Sequence, residues 1–225
     1  RERHHRRSCD LHVRCLHRHQ LRVSTMSASD SPQVAERRQA VVIAGHSGDR
    51  ALVEIGLTDE QPSVRESALG ALDRLGVLTA PTLEVFTADI DVRVRRRVAE
   101  LAAKFLSFDL LPLLSDNEPL VVEMAAWSCG EHEVVTQAVL DKLIELTTTH
   151  SEPLVREASV AALGAIGNEL GLDAIIAACS DKPAIRRRAV LALAPFDTPE
   201  VKITLHKALE DRDWQVRQAA EDLLG

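Results

Sequence analysis

The sequence predicts an all-α fold, a stack of about six helix pairs with one capping helix at its N-terminal end. Three observations support this fold class. An amphipathic helical segment recurs about every 30 residues, short turns with glycine or proline separate the segments, and the composition is aliphatic, with 45% hydrophobic but only 3% aromatic residues. Stacked copies of one helical unit share a continuous core, so we expect a single elongated body.

The clearest copy of the repeat is SEPLVREASVAALGAIG, residues 151–167. Pro153 suits a first helical turn, because its fixed φ and missing N–H cost nothing there. The apolar residues that follow have the three-and-four spacing of one helix face, and Gly167 is a typical helix end. Alanines dominate this face, which predicts that a neighbouring helix packs closely against it.

An aliphatic anchor residue marks the same position in each copy: Val64, Val94, Val121, Val155, Ile185 and Val216. The separations of 27 to 34 residues are typical of a helical repeat array. An arginine follows the anchor in five copies, and an aspartate precedes it by four or five residues in five. The third copy has Val122 in place of the arginine, and the fourth copy lacks the aspartate.

An aspartate followed by V-R-x-x-A-x-x-A-L-G resembles HEAT repeats, in particular the short HEAT-like repeats named after the phycobilisome bilin lyases. The matching segments are VRESALGALDRLG from Val64, VREASVAALGAIG from Val155, IRRRAVLALAP from Ile185 and VRQAAEDLLG from Val216. The resemblance covers roughly residues 48–225 and implies a right-handed α-solenoid, a HEAT-like superhelix. It also implies that the recurring charged residues form a structural ladder between repeats: Asp59, Arg65, Asp89, Arg95, Arg156, Asp181, Arg186, Asp211 and Arg217.

The array is predicted to occupy residues 32–225. A capping helix over residues 34–45 should point Arg37 and Arg38 outward and Val41, Val42 and Ile43 inward. Helices that carry the anchors are expected to form the inner layer. Outer helices are predicted at residues 50–58, 81–88, 109–114, 135–147, 172–179 and 199–209.

Residues 1–31 are interpreted as a leader outside the array, either non-native or disordered, with Met26 as the true start. The first 25 residues carry seven arginines and five of the nine histidines, without helical periodicity. Two alternatives remain: a basic arm that contacts nucleic acid or acidic lipid, and metal binding by the residues Cys9, His12, Cys15, His17 and His19. No apolar core of a signal peptide is present, so we expect a cytoplasmic protein with reduced thiols.

The candidate binding residues lie on the anchor helices at positions that the core does not need, two, three and six residues after the anchor. In a HEAT-like superhelix these positions line a concave groove. The predicted groove residues are Arg96, Arg97, Met124, Trp127, Glu157, Ala161, Arg187, Arg188 and Leu191. Exposed tryptophan beside arginine is typical of an interaction hot spot. The alternative for Trp127 is a core position, and Trp214 is predicted to be a packing residue over the last helix pair.

The function predicted from these features is a non-catalytic scaffold whose groove holds a protein or peptide, with no cofactor and no metal. Two alternatives are a subunit of the bilin lyase type, in which groove arginines would hold tetrapyrrole propionates, and a HEAT-like DNA-binding or DNA-repair protein. The chain has a net charge of −7, and −12 without its first 25 residues, which disfavours nucleic acid. The only His-Glu pair, at residues 132–133, cannot form the two-iron site of deoxyhypusine hydroxylase, a HEAT-like enzyme whose repeats carry several such pairs.

Overall fold

The computed structural model describes residues 31–132 and 134–225. Within these ranges it contains thirteen α-helices and one 3-10 turn, Glu169–Gly171, and no strand. The helices are α1 Pro32–Ser47, α2 Arg50–Gly56, α3 Pro62–Arg74, α4 Ala80–Glu84, α5 Val92–Ala102, α6 Leu111–Leu114, α7 Pro119–Gly130, α8 Gln137–Thr149, α9 Pro153–Ile166, α10 Leu172–Ala178, α11 Pro183–Ala192, α12 Pro199–Ala208 and α13 Trp214–Leu224.

Local sequence signals account for most of the helix ends. Side chains of serine, threonine or aspartate accept a backbone N–H of the first turn at seven α-helix starts: Ser31, Asp49, Thr79, Asp91, Thr136, Thr198 and Asp213. Proline occupies the first or second position of α3, α7, α9 and α11, where no N–H is needed. Gly48 and Gly167 end α1 and α9 with φ of 88° and 66°, a left-handed conformation that favours glycine.

The helices form two layers. The odd-numbered helices α1 to α13 stack in chain order, each against the next, and the even-numbered helices lie outside them. The predicted fold class, an α-solenoid of six helix pairs preceded by one extra helix, is therefore confirmed for the described part of the chain. Its core is aliphatic: the fully buried large side chains are leucines, isoleucines and a valine.

The first helix belongs to the inner layer, which corrects two predictions for its residues. Arg37 does not simply point outward, because its guanidinium donates to both carboxylate oxygens of Asp59 at 2.8 and 3.0 Å. Ile43 does not point inward but is 56% exposed. In later repeats the equivalent face of the inner helix packs against the inner helix before it. No helix among the described residues precedes α1, so this face of α1 is uncovered there. Val41 is buried as predicted.

Small residues let the inner helices approach closely. Glycines nine residues after the anchor position face alanines seven residues after the next anchor: Gly45 faces Ala71, Gly130 faces Ala162, and Gly164 faces Ala192. A Cβ on Gly164 would lie 2.5 Å from Cβ of Ala192, well inside van der Waals contact. This register is the physical basis of the tight stacking that the alanine-rich face predicted.

None of the described helices combines the length and the apolar character that crossing a lipid bilayer requires.

Candidate functional site

A ladder of arginine–aspartate pairs runs along the turns that precede the inner helices. Arg65 donates to Asp89 with N···O distances of 2.8 and 2.7 Å, and Arg156 donates to Asp181 at 2.7 and 2.9 Å. The pairs Arg95–Asp116 and Arg186–Asp211 have the same two-bond geometry. Each arginine thereby joins its own repeat to the next, and Arg37–Asp59 adds a first rung that the anchor pattern missed.

Both the arginine and the aspartate of a rung also form hydrogen bonds with the backbone of the turn in their own repeat. The Nη1 atom of Arg65 donates to the carbonyl oxygen of Asp59 at 2.8 Å, in its own repeat. On the acceptor side, Asp89 accepts the backbone N–H of Asp91 at 2.9 Å. In the last repeat Arg217 makes only the turn contact, to the carbonyl oxygen of Asp211 at 2.7 Å. A rung is therefore a fixed bidentate pair rather than a loose surface contact.

The ladder is interrupted between the third and fourth repeats. Val122 occupies the arginine position and is 2% exposed, and His150 occupies the aspartate position. Arg156 still makes the turn contact here, to the carbonyl oxygen of His150 at 2.7 Å. Both members of the rung are thus replaced at this one junction. The inner helices α7 and α9 are held together there by apolar packing instead.

The rungs favour the ionised carboxylates. The hydrogen bond from Arg156 lowers the pKa of Asp181, against the opposing effect of burial, and Arg186 does the same for the pKa of Asp211. Burial raises the pKa of Glu66 on α3, although the guanidinium groups of Arg97, Arg93 and Arg96 oppose that shift.

The predicted groove residues lie along the inner helices α5, α7, α9 and α11, as their spacing requires, but they are not equally accessible. Arg96, Arg97, Trp127, Glu157, Ala161, Arg187, Arg188 and Leu191 are partly buried. Met124 is only 6% exposed and belongs to the core. It offers almost no surface to a partner and therefore cannot contribute to a binding groove.

Half of the groove arginines are held by neighbouring groups. Arg97 pairs with Glu100 at 2.8 Å, and its guanidinium lies over Gly70 of the preceding inner helix. Arg188 lies 3.8 Å from the carboxylate of Glu157 across the α9–α11 contact. Their charge is therefore largely balanced within the protein.

The other two arginines, Arg96 and Arg187, make no direct ion pair within the described residues, and Arg96 acts on the carboxylate of Glu66 only at longer range. Among the described residues, no carboxylate lies within ion-pair distance of Arg96 or Arg187, and Nε of Arg96 is buried without a hydrogen-bond partner. They occupy equivalent positions on α5 and α11, on either side of α7 and α9. With helix axes about 8–10 Å apart, they stand roughly 25–30 Å from each other along the stack.

Trp127 lies between these two arginines, on α7. Its ring packs partly against the core and stays partly exposed, so both interpretations offered by the sequence describe part of the side chain. The indole Nε1 is buried and has no hydrogen-bond partner within the described residues. A buried indole N–H usually has an acceptor, so this donor is left unsatisfied in the free protein.

Trp214 differs from its prediction: it is 64% exposed rather than packed over the last helix pair. The position two residues before the anchor lies in the first turn of an inner helix, at the edge of the stack. Exposure at this position varies between repeats: Pro183 is also exposed, whereas Val92 is partly buried against the core.

The described residues give no indication of catalytic chemistry. No cluster of three or more histidine, cysteine or acidic side chains arranged to hold a metal ion occurs in residues 31–132 and 134–225. Burial raises the pKa of both thiols, Cys129 and Cys179, to about 12, which leaves them protonated and unreactive near neutral pH. The basic and histidine-rich segment of the sequence lies outside the described residues.

Comparisons with known proteins agree with this geometry. Residues 109–184 match the family described as HEAT repeats, and residues 50–72 match the family described as HEAT repeat associated with sister chromatid cohesion. No curated protein matches the chain as a whole or in part.

Several solved structures share the fold. A designed armadillo repeat protein in complex with the peptide (KR)4 has a TM-score of 0.58 at 16% identity, over 78% of this chain and 97% of that one. An engineered protein has a TM-score of 0.57 at 21% identity, over 78% of this chain and 96% of that one. YibA of E. coli has a TM-score of 0.56 at 17% identity, over 87% of this chain and 75% of that one. At these identities the likeness concerns the fold alone.

Proposed function

We propose that this chain, a HEAT repeat protein, is a non-catalytic scaffold that holds a protein or peptide in the groove along its inner helices. One observation carries the proposal: the half-buried Trp127, with an unsatisfied indole N–H, lies between Arg96 and Arg187, which make no direct ion pair among the described residues. Tryptophan and arginine in a partly desolvated groove are the residues that most often dominate binding energy at interfaces.

The rigidity of the stack supports binding to a preformed groove. The bidentate rungs and the glycine–alanine contacts fix the inner helices relative to one another. A preformed groove lowers the conformational entropy that is lost on binding, so a modest set of contacts gives useful affinity. An extended peptide rises about 3.3 Å per residue, and roughly eight to nine residues would span the interval from Arg96 to Arg187.

The charges of the groove favour a peptide over a nucleic acid. Glu100 and Glu157 balance Arg97 and Arg188, and the carboxylate of Glu66 lies within electrostatic range of Arg96. The groove therefore carries separated arginines without a direct ion pair, Arg96 and Arg187, rather than a basic stripe. The chain is also acidic overall, at −7, and repels a phosphate backbone at long range. Two acidic side chains of a peptide, one for Arg96 and one for Arg187, match this arrangement. We place the protein in the cytoplasm, where the thiols of Cys129 and Cys179 would remain reduced.

Affinity capture from an extract of the source organism tests the function. The bait is the full chain, alongside an Arg96→Gln/Arg187→Gln variant and an Arg74→Gln/Arg212→Gln control that removes the same charge outside the groove. A protein that is retained by the wild type and the control but lost with the groove variant supports the scaffold. A bound tetrapyrrole, seen by its visible absorbance, or a nucleic acid, seen at ultraviolet wavelengths, would replace it with one of the two alternative functions.

Trp127→Ala should weaken binding of the captured partner by roughly 2 kcal/mol, about 30-fold in Kd, if the ring is the centre of the groove. Because the ring also packs on the core, circular dichroism of the variant must show retained helicity. Arg96→Gln/Arg187→Gln provides a second measurement that leaves the core intact. Unchanged affinity in both variants would mean that the partner binds elsewhere.

A further inference from the structure

Two neighbouring inner helices begin with the same exposed motif. Glu118-Pro119-Leu120 opens α7 and Glu152-Pro153-Leu154 opens α9, each directly before its anchor valine. Leu120 is 51% exposed and Leu154 is 37% exposed. We call these two tripeptides the EPL edge. It lies at the end of the inner helices where the turns and ladder rungs are found, apart from the groove positions further along each helix.

The fold does not require leucine at this position. The residue before the anchor is Ser63, Arg93, Ala184 and Gln215 in the other four repeats, and these repeats stack in the same way. The two leucines therefore expose apolar surface that the stack neither buries nor needs. Single exposed apolar residues are common, but these two occupy identical positions of adjacent repeats and therefore lie on the same edge of the stack.

The EPL edge coincides with the interruption of the ladder. Val122 and His150 replace the rung that would tie these two repeats together at the edge. The ladder residues of the other junctions are held in bidentate pairs, whereas no charged rung occupies this one. The surface between α7 and α9 at the edge is thus free of the fixed arginine–aspartate pair that covers the equivalent place elsewhere.

One further exposed aliphatic side chain lies toward the second repeat, beside a largely polar depression. Ile90 is 93% exposed, and it lines an open depression of about 390 Å³ together with Ser115, Asp116 and Asn117. Asn117 directly precedes the first tripeptide of the EPL edge. Three successive repeats therefore each place one exposed aliphatic side chain along the same edge.

The charge of the EPL edge is negative. Glu118 and Glu152 are exposed, do not cap their helices with their side chains, and form no direct ion pair with another described residue. The ladder arginines Arg95 and Arg156 interact with them at longer range, but each donates its direct hydrogen bonds to a ladder aspartate. The acidic chain as a whole adds to this field. Carboxylates beside exposed leucines complement a segment in which lysine or arginine alternates with apolar side chains.

We infer that the EPL edge is a second docking surface, which binds a basic-apolar segment of a partner protein independently of the groove. Leu120 and Leu154 would contact its apolar side chains, while Glu118 and Glu152 would pair with its lysines or arginines. The proposed groove carries two arginines without a direct ion pair among the described residues, Arg96 and Arg187, and favours a negatively charged ligand. The two surfaces would therefore bind segments of opposite charge.

The test uses fluorescence anisotropy of a short labelled peptide in which leucine and lysine alternate, with the leucine–glutamate peptide for comparison. Substitutions take the residues that other repeats carry: Leu120→Ala/Leu154→Ala as at Ala184, and Glu118→Gln/Glu152→Gln as at Gln61. Ile203→Ala, which removes a 69% exposed side chain on the outer helix α12, is the matched control. Because natural repeats carry these residues, the variants should fold normally, which circular dichroism checks.

We expect the wild type to bind the lysine peptide, each double variant to lose about tenfold or more in affinity, and Ile203→Ala to bind as the wild type does. The Arg96→Gln/Arg187→Gln variant should also bind normally, which separates this inference from the proposed groove function. Four outcomes would overturn the inference of a second docking surface. The wild type fails to bind the lysine peptide, or it binds the glutamate peptide equally well. Alternatively, Ile203→Ala loses as much affinity as the double variants, or only the groove variant loses affinity.

Discussion

Gly164→Ala tests whether close approach of the inner helices holds the stack together. In an isolated helix, replacing an interior glycine by alanine stabilises by about 1 kcal/mol. Here the new Cβ would lie 2.5 Å from Cβ, 2.6 Å from Cα and 2.9 Å from the carbonyl oxygen of Ala192. Two of these atoms are backbone, so no side-chain rotation can relieve the overlap and α9 must move away from α11.

The magnitude follows from two opposing effects. Ordinary contact between such carbons begins near 3.5 Å, so the helices must separate by about 1 Å, and overpacking of this kind costs about 2–3 kcal/mol in a well-packed core. The gain in helix propensity offsets about 1 kcal/mol of that cost. We expect a net loss of about 1–2 kcal/mol in the free energy of unfolding, or a decrease of roughly 2–8 °C in Tm.

Gly70→Ala is the matched control, because this glycine is also buried inside an inner helix. Its new Cβ would meet the guanidinium of Arg97, the far end of a flexible side chain that can rotate away. We expect a neutral or stabilising effect of up to about 1 kcal/mol. Urea unfolding followed by circular dichroism measures both variants. A Gly164→Ala protein as stable as the wild type, or as stable as Gly70→Ala, would refute the role of close helix approach.

Two further predictions concern the ladder. Asp181→Asn should lower the free energy of unfolding at neutral pH by about 1–2 kcal/mol, because its rung partner Arg156 is mostly buried and would lose a charged acceptor. The pKa of Asp181 lies below its usual 3.8, so the rung stabilises above that pH and its contribution disappears as the pH falls through the lower, folded value. Thermal unfolding as a function of pH should therefore show the wild-type advantage shrinking below about pH 4, and a constant difference would contradict the prediction. Val122→Arg alone should destabilise, whereas adding His150→Asp should restore a rung, with a coupling of about 1–2 kcal/mol in a double-mutant cycle; additive effects would show that this junction cannot accept one.

The helical architecture was predictable because its signals are local. The anchor spacing, the prolines before the anchors and the terminal glycine after residue 166 each act within one or two helical turns. Short outer helices were located less accurately: α4 spans only Ala80–Glu84, against the predicted residues 81–88. Helix ends depend on which turn hydrogen bonds form, and the apolar pattern does not specify them.

The first rung shows what the anchor search missed. The first helix carries Glu36 where the other copies have an aliphatic anchor, so a search for valine or isoleucine passes over it. The signal was still present: Arg37 follows this position, as the arginines follow the anchors, and Gly45 lies nine residues after it, as Gly164 does after Val155. Aligning the arginine and the glycine instead of the anchor identifies the helix as a repeat.

The repeat, its period and the face of the helix on which each residue lies were predictable from the sequence alone, because those properties depend on spacing within one helix. Packing between repeats determines that Met124 is buried while Trp127 keeps exposed surface, and that the leucines of the EPL edge are exposed. It also determines that, among the described residues, Arg97 and Arg188 face a carboxylate within ion-pair distance whereas Arg96 and Arg187 do not. Each of these depends on atoms of an adjacent repeat, often more than 20 residues away in the chain. The sequence pattern of one helix does not report the volume and charge of side chains in the adjacent repeat. Which residues stay exposed is therefore determined by packing between repeats.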